Sequence, residues 1–155
     1  MAHSTLHSLL PIATIFLFIP FNSGDTQSLI GQICRQTSDS SFCRSFFNQH
    51  LYTPNTDIKG LAQIAVTQTL IYATNTKIFI LKAIESEKDP ELKSFYTICK
   101  EGYGNLVNEF TSANFDFGKG DYDCMVFHVR NCERFVTDCQ NVLGNRARQL
   151  GPQFS

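Results

Sequence analysis

The side chains able to do chemistry in this sequence are six cysteines, four histidines and a group of carboxylates, and their spacing favours cross-linking over catalysis. His3 and His7 stand in a leading apolar segment. His50 and His128 are isolated, one beside a linker and one on the polar face of a helix, so each reads as a solvated surface residue and not as a base or ligand. No nucleophile motif appears, and Gly118-Lys119-Gly120 has neither the length of a phosphate loop nor a strand before it, which leaves a simple turn. Cys34 and Cys43 have no nearby cysteine or histidine to complete a zinc site. No cofactor and no metal are expected.

Carboxylates at Glu109, Asp116, Asp121 and Asp123 gather around that turn. Acid/base work would require a concave apolar pocket to separate their pKa values, and a convex bundle end offers none. Asp121 reads as a helix N-cap, with Asp123 in the first turn where the macrodipole favours negative charge. The alternative is an acidic tip that docks into a partner's cleft.

The elements that position these groups are helices. From Leu92 the apolar positions run Tyr96, Cys99, Tyr103, Leu106, Phe110, Ala113 and Phe117, in steps of four and three that draw one stripe on one helix face. Beyond the turn a second stripe runs through Tyr122, Met125, Val129, Cys132, Val136, Cys139 and Leu143, which predicts one continuous helix. Reflection about Lys119 sets Cys99, 20 residues before it, opposite Cys139, 20 residues after it, and predicts a disulfide between the two helices. Cys132 falls opposite Leu106. Cys124 and Cys132 are ~12 Å apart along one helix, too far to bridge, and Cys132 and Cys139 fail likewise. Cys132 is expected as a buried thiol and Cys124, off the stripe, as a partly exposed free thiol able to pair between chains.

Upstream, Cys34 and Cys43 flank the polar break Thr37-Ser38-Asp39-Ser40-Ser41 in a short helical hairpin, where a bridge is easily closed. Residues 51–56 form a linker with Pro54, and Asp57 caps a long helix from Ile58 to about Ser86. That helix is apolar over a wide arc, with Leu61, Ile64, Ile71 and Ile78 on one face and Ile58, Ala62, Ala65, Tyr72, Ala73, Ile80 and Ala83 on another, so it should touch more than one neighbour. Asp89 caps the next helix and Pro90 begins it.

At 155 residues, 43% hydrophobic and 17% charged, the chain fits one compact helical domain. A net charge of −1 with scattered Lys and Arg carries no nucleic-acid footprint and no polybasic membrane signal. Residues 1–24 contain no Asp, Glu, Lys or Arg, and their apolar run Leu9 to Ile19 is too short to span a bilayer, which predicts a cleaved signal peptide and a secreted, extracellular protein with no membrane attachment after cleavage. Residues 25–155 would form the domain, with a hairpin over 28–51, bundle helices over 57–143 and a frayed tail over 144–155. No Asn-x-Ser/Thr site occurs.

The runs Ile33-Cys34, Ser41-Phe42-Cys43, Asp57-Ile58-Lys59-Gly60-Leu61-Ala62, Lys88-Asp89-Pro90-Glu91-Leu92-Lys93, Cys99 with Tyr103, Gly120-Asp121-Tyr122 and Cys139 closely resemble the plant invertase and pectin methylesterase inhibitors. The resemblance implies an all-α fold: an N-terminal helical hairpin pinned by Cys34 and Cys43, packed on an up-down antiparallel four-helix bundle whose second and third helices are tied by Cys99 and Cys139. It also implies a secreted, non-enzymatic inhibitor that covers the active-site cleft of a carbohydrate-active enzyme of the plant cell wall (apoplast). Two departures matter. Invertase inhibitors of one type place Pro-Lys-Phe just after the Gly-Asp of this turn, where this chain has Tyr122-Asp123-Cys124 and no lysine to meet a hydrolase's catalytic carboxylates. Pectin methylesterase is therefore the preferred target, acid invertase the second, with partner contacts expected at Glu109, Asp116, Asp121, Tyr122 and Asp123. The family also continues past the fourth cysteine into a last apolar helix, whereas 16 residues follow Cys139 here, so a shortened or missing last helix is expected. A homodimer through the uncovered groove, or a non-inhibitory helical interaction protein, would follow from that loss.

Overall fold

The structure, a computed structural model, describes residues 25–144. The expected signal peptide and the segment after Gly144, on which the expected shortening of the bundle turns, lie outside the described residues. Six helices occur among the described residues: α1 Thr26–Cys34, α2 Ser40–His50, α3 Ile58–Ser86, α4 Pro90–Lys119, α5 Tyr122–Arg130 and α6 Glu133–Leu143.

Local chemistry sets most of their ends. Asp39 accepts from the Phe42 amide at 2.8 Å to start α2, Asp57 from Gly60 at 2.8 Å to start α3, and Asp89 from Glu91 at 2.9 Å to start α4, with Pro90 in its first turn. The break before α2 folds into turns, and a Cys34–Cys43 disulfide spans it with the Cα atoms 5.4 Å apart. The α1–α2 hairpin buries Ile30, Ile33, Phe46 and Phe47, and docks on α3 through the His50 ring against Tyr72. Complete burial of a side chain such as Phe47 is worth about 2 kcal/mol, so this small hairpin is held by packing as well as by its bridge.

The central helix is α4. Its stripe of Tyr96, Cys99, Tyr103, Leu106, Phe110 and Ala113 is buried, with α3 packed along one flank and α5 and α6 along the other. The Cys99–Cys139 disulfide ties α4 to α6 with the Cα atoms 4.5 Å apart.

One expectation is corrected. The helix expected to run from Tyr122 to Leu143 is broken at Asn131 and Cys132. There the amides of Asn131 and Cys132 bond back three residues, to the carbonyls of His128 and Val129 at 3.2 Å each, which tightens and ends α5. Asparagine is a poor helix former, and Glu133 restarts the helix as α6. The restarted helix lies directly on α4: a Cβ added to Gly102 would stand 2.6 Å from the Phe135 carbonyl oxygen, so only glycine permits the approach. As expected of its wide apolar arc, α3 touches more than one neighbour, packing on α4 and on both helices of the hairpin. Leu61 and Ile64 are buried near its start, whereas Ile71 and Ile78 on the same face are 44% and 46% exposed.

Candidate functional site

The turn between α4 and α5 is built by Gly120, whose φ of 76° lies in the left-handed region. The Gly120 amide bonds to the Phe117 carbonyl and the Asp121 amide to the Asp116 carbonyl, each at 3.0 Å. The chain reverses within these residues and leaves Asp121, Tyr122, Asp123 and Cys124 exposed in succession at the bundle's end.

Asp121 caps α5 by accepting from the Cys124 amide at 3.1 Å. That backbone hydrogen bond holds its carboxyl below the usual range, assisted by a second bond from the Cys124 side chain and by the charge of Lys119. The Cys124 thiol is pushed up in turn by its hydrogen bond to Asp121 and by the neighbouring carboxylates, so this free cysteine is exposed but not activated. Tyr122 is 37% exposed, and its ring sits edge-on to Phe117 at 5.6 Å. Lys59 from the start of α3 lies 5.2 Å over the Tyr122 ring, and Lys119 lies 4.1 Å over Phe115. Both lysines at this end are therefore laid on aromatic faces.

Glu109 and Asp116, two of the residues expected as partner contacts, are half-buried and each meets a histidine. His128 Nδ1 lies 2.6 Å from Glu109 Oε2, and its Nε2 lies 3.4 Å from Asp116 Oδ2. The three side chains are only 18% to 27% exposed. This corrects the expectation that His128 is an isolated, solvated residue: it links α5 to α4 through both ring nitrogens. One turn further on, the buried Cys132 thiol donates to the His128 carbonyl at 3.3 Å and is pushed up to about 12 by burial and by Glu109.

Among the described residues no group of three His, Cys, Asp or Glu side chains could hold a metal ion. None of the described helices is long and apolar enough to cross a membrane. What the bundle end offers is a rigid, exposed surface: a capped turn, an aromatic pair and carboxylates fixed by hydrogen bonds.

Comparison with known proteins places this architecture. Residues 28–149 match the family described as plant invertase/pectin methylesterase inhibitor. The chain is 28% identical over 119 residues to the cell wall / vacuolar inhibitor of fructosidase 2 of Arabidopsis thaliana, covering 76% of this chain and 66% of that protein. It is 29% identical over 96 residues to pectinesterase inhibitor 1 of the same plant, covering 62% of this chain and 53% of that protein. The crystal structure of a pectin methylesterase inhibitor from Arabidopsis thaliana superposes with a TM-score of 0.55 at 25% identity, over 77% of this chain and 78% of that one. The chain thus spans between 53% and 66% of the length of these two curated relatives, both of them named as inhibitors and not as enzymes. With residues 28–149 matched, the chain belongs to the plant invertase/pectin methylesterase inhibitor family.

Proposed function

We propose that the chain inhibits pectin methylesterase by binding it one to one and occluding its active-site cleft. The observation that carries this reading is the composition of the exposed turn: Asp121, Tyr122, Asp123 and Cys124 stand where an invertase-directed member would project a lysine, and Lys59 and Lys119 are held on aromatic rings. Without a lysine directly after Asp121, the turn has no cation at that place to meet the paired carboxylates of a glycoside hydrolase. The named pectinesterase inhibitors among the relatives, and the superposed pectin methylesterase inhibitor, lend further support.

In this mechanism the bundle binds as a preformed body. The Cys99–Cys139 bridge and the His128 link fix α5 and α6 on α4, so little order is lost on binding. Affinity comes from a desolvated patch on the helix faces, and Asp121, Tyr122 and Asp123 orient the complex from its rim. Glu109 and Asp116 support that rim from behind through His128. Two disulfides suit an oxidising, extracellular setting such as the cell wall, in line with the printed name of one relative.

Acid invertase is the second reading, favoured by one observation: the match to the fructosidase inhibitor is longer than the match to pectinesterase inhibitor 1. Mixing the disulfide-bonded chain in molar excess with each enzyme, and following pectin de-esterification and sucrose cleavage, separates the two. Loss of de-esterification alone supports the proposal, and loss of sucrose cleavage alone transfers it to invertase. Full activity of both enzymes would refute inhibition altogether.

A further inference from the structure

At the same end of the bundle, a cleft of about 540 Å³ opens between the 51–57 linker and the first turns of α3. Its size falls within the ~300–1,000 Å³ of small-molecule sites. Tyr52, Asn55 and Thr56 line the linker side, and Gln63, Ile64 and Thr67 the helix side. Gly60 helps to shape the cleft: a Cβ there would stand 2.6 Å from the Thr56 methyl group, so a larger residue would have to displace the Thr56 side chain. The linker wall is fixed in place. The Thr56 amide donates to Thr26 Oγ1 at 2.8 Å, the Thr26 hydroxyl donates to the Thr56 carbonyl at 2.9 Å, and the Thr56 hydroxyl donates to the Thr53 carbonyl at 2.9 Å.

The lining chemistry is selective. Gly60, Gln63, Ile64 and Thr67 share one helix face that carries no charge. The one charged lining residue is Asp57, whose Oδ1 accepts from the Gly60 amide at 2.8 Å and so occupies a donor that an anion would need. Lys59, the adjacent cation, is turned away over Tyr122. Anionic ligands therefore meet a carboxylate and no compensating cation. Tyr52 presents a ring that is 80% exposed and has no ring partner among the described residues. The side-chain amides of Asn55 and Gln63 likewise make no hydrogen bond to another described residue. An open aromatic face beside neutral groups that donate and accept suits a ligand with an apolar C–H face edged by hydroxyls.

From this geometry we propose that the cleft binds a neutral saccharide of one or two pyranose units, stacked on Tyr52 and hydrogen-bonded through its hydroxyls to Asn55, Gln63 and the free oxygen of Asp57. This binding is separate from enzyme inhibition and goes beyond it. The test is an amide-shift titration of the 15N-labelled, disulfide-bonded chain with cellobiose, lactose and mannobiose, with digalacturonate as the acidic counterpart. At least one neutral disaccharide is expected to move the amides of residues 52–60, Gln63 and Thr67 saturably, while digalacturonate leaves them in place. Tyr52→Ala is expected to weaken that binding about tenfold, and Gln63→Ala to weaken it as well, with amide positions outside the cleft unchanged. Absence of a saturable response to all three neutral sugars overturns the proposal. So does a response that survives Tyr52→Ala, a stronger response to digalacturonate, or a cleft that answers only to a peptide or to the target enzyme.

Discussion

His128 Nδ1 lies 2.6 Å from Glu109 Oε2, which makes a residue of α5 the direct partner of a carboxylate 19 positions earlier on α4. The pair is about one quarter exposed, so solvent screens it only in part. A double-mutant cycle on His128→Ala and Glu109→Ala is expected to give a coupling of about 1 kcal/mol in urea unfolding. Each single variant leaves its partner facing Asp116 or a gap, so each should cost more than the double change adds to it. Strict additivity would mean that the ring merely lies beside the carboxylate.

The two disulfides should differ in worth. In the chain-entropy view, the Cys99–Cys139 bridge, with a sequence separation of 40, contributes about 4 kcal/mol, and the Cys34–Cys43 bridge, with a separation of 9, about 2.5 kcal/mol. Paired serine replacements compared by denaturant midpoints test the order. Cys99→Ser/Cys139→Ser should lose the more, because that bridge also holds α6 on Gly102 of α4. An equal or reversed loss would show that local packing around the hairpin outweighs loop closure.

Much of this architecture was legible because it rests on periodicity and caps. The stripe from Leu92 to Phe117, the caps at Asp57, Asp89 and Asp121, and the register joining Cys99 to Cys139 are all local or mirror-symmetric signals. The break at Asn131 and Cys132 was not legible, since the apolar stripe continues across it and the kink depends on α6 settling onto a glycine of another helix. The His128 link was within reach: the same reflection about Lys119 puts Glu109 10 residues before the centre and His128 9 after it. The sequence neighbours of His128 do not announce a partner that only the helical hairpin supplies. The 540 Å³ cleft is a meeting of the linker with α3, and Tyr52 beside Pro54 carried no pattern that announced it.

The two free thiols should separate cleanly under alkylation. Cys124 is exposed and reacts in the folded protein, more slowly than an unperturbed cysteine because its thiol is pushed up by Asp121 and the surrounding carboxylates. Cys132 is buried and reacts only on unfolding. Its thiol, pushed up to about 12 by burial, favours the neutral form in the fold. The resulting stability is complete below the unfolded value of about 8.5 and is lost as pH rises from there toward the folded value. Cys132→Ala, at a cavity cost of about 1 kcal/mol at neutral pH, should flatten this part of the alkaline decline. The raised Tyr103 phenol, also buried, keeps the remainder. Mass-resolved labelling that finds Cys132 modified in the folded chain would contradict its placement.

Asp121 allows cap and charge to be separated at one position. Its carboxyl is lowered first by the hydrogen bond from the Cys124 amide, so the ionised form is the one the fold favours. The stability this contributes is present above the unfolded carboxyl value of about 3.9 and is lost as pH falls through the lower folded value. Asp121→Asn keeps a side-chain oxygen for the Cys124 amide and caps nearly as well, so its unfolding midpoint should match the parent's less closely at neutral pH than in acid, where the parent's carboxyl is also neutral. Asp121→Ala removes the acceptor and should lie below Asp121→Asn at every pH. If the acidic turn also orients the target enzyme, Asp121→Asn should slow association at low salt and lose that effect as salt is raised, with dissociation little changed. Unfolding midpoints measured from neutral to acid pH, set beside association rates at two ionic strengths, distinguish a residue that only starts α5 from one that also meets the partner.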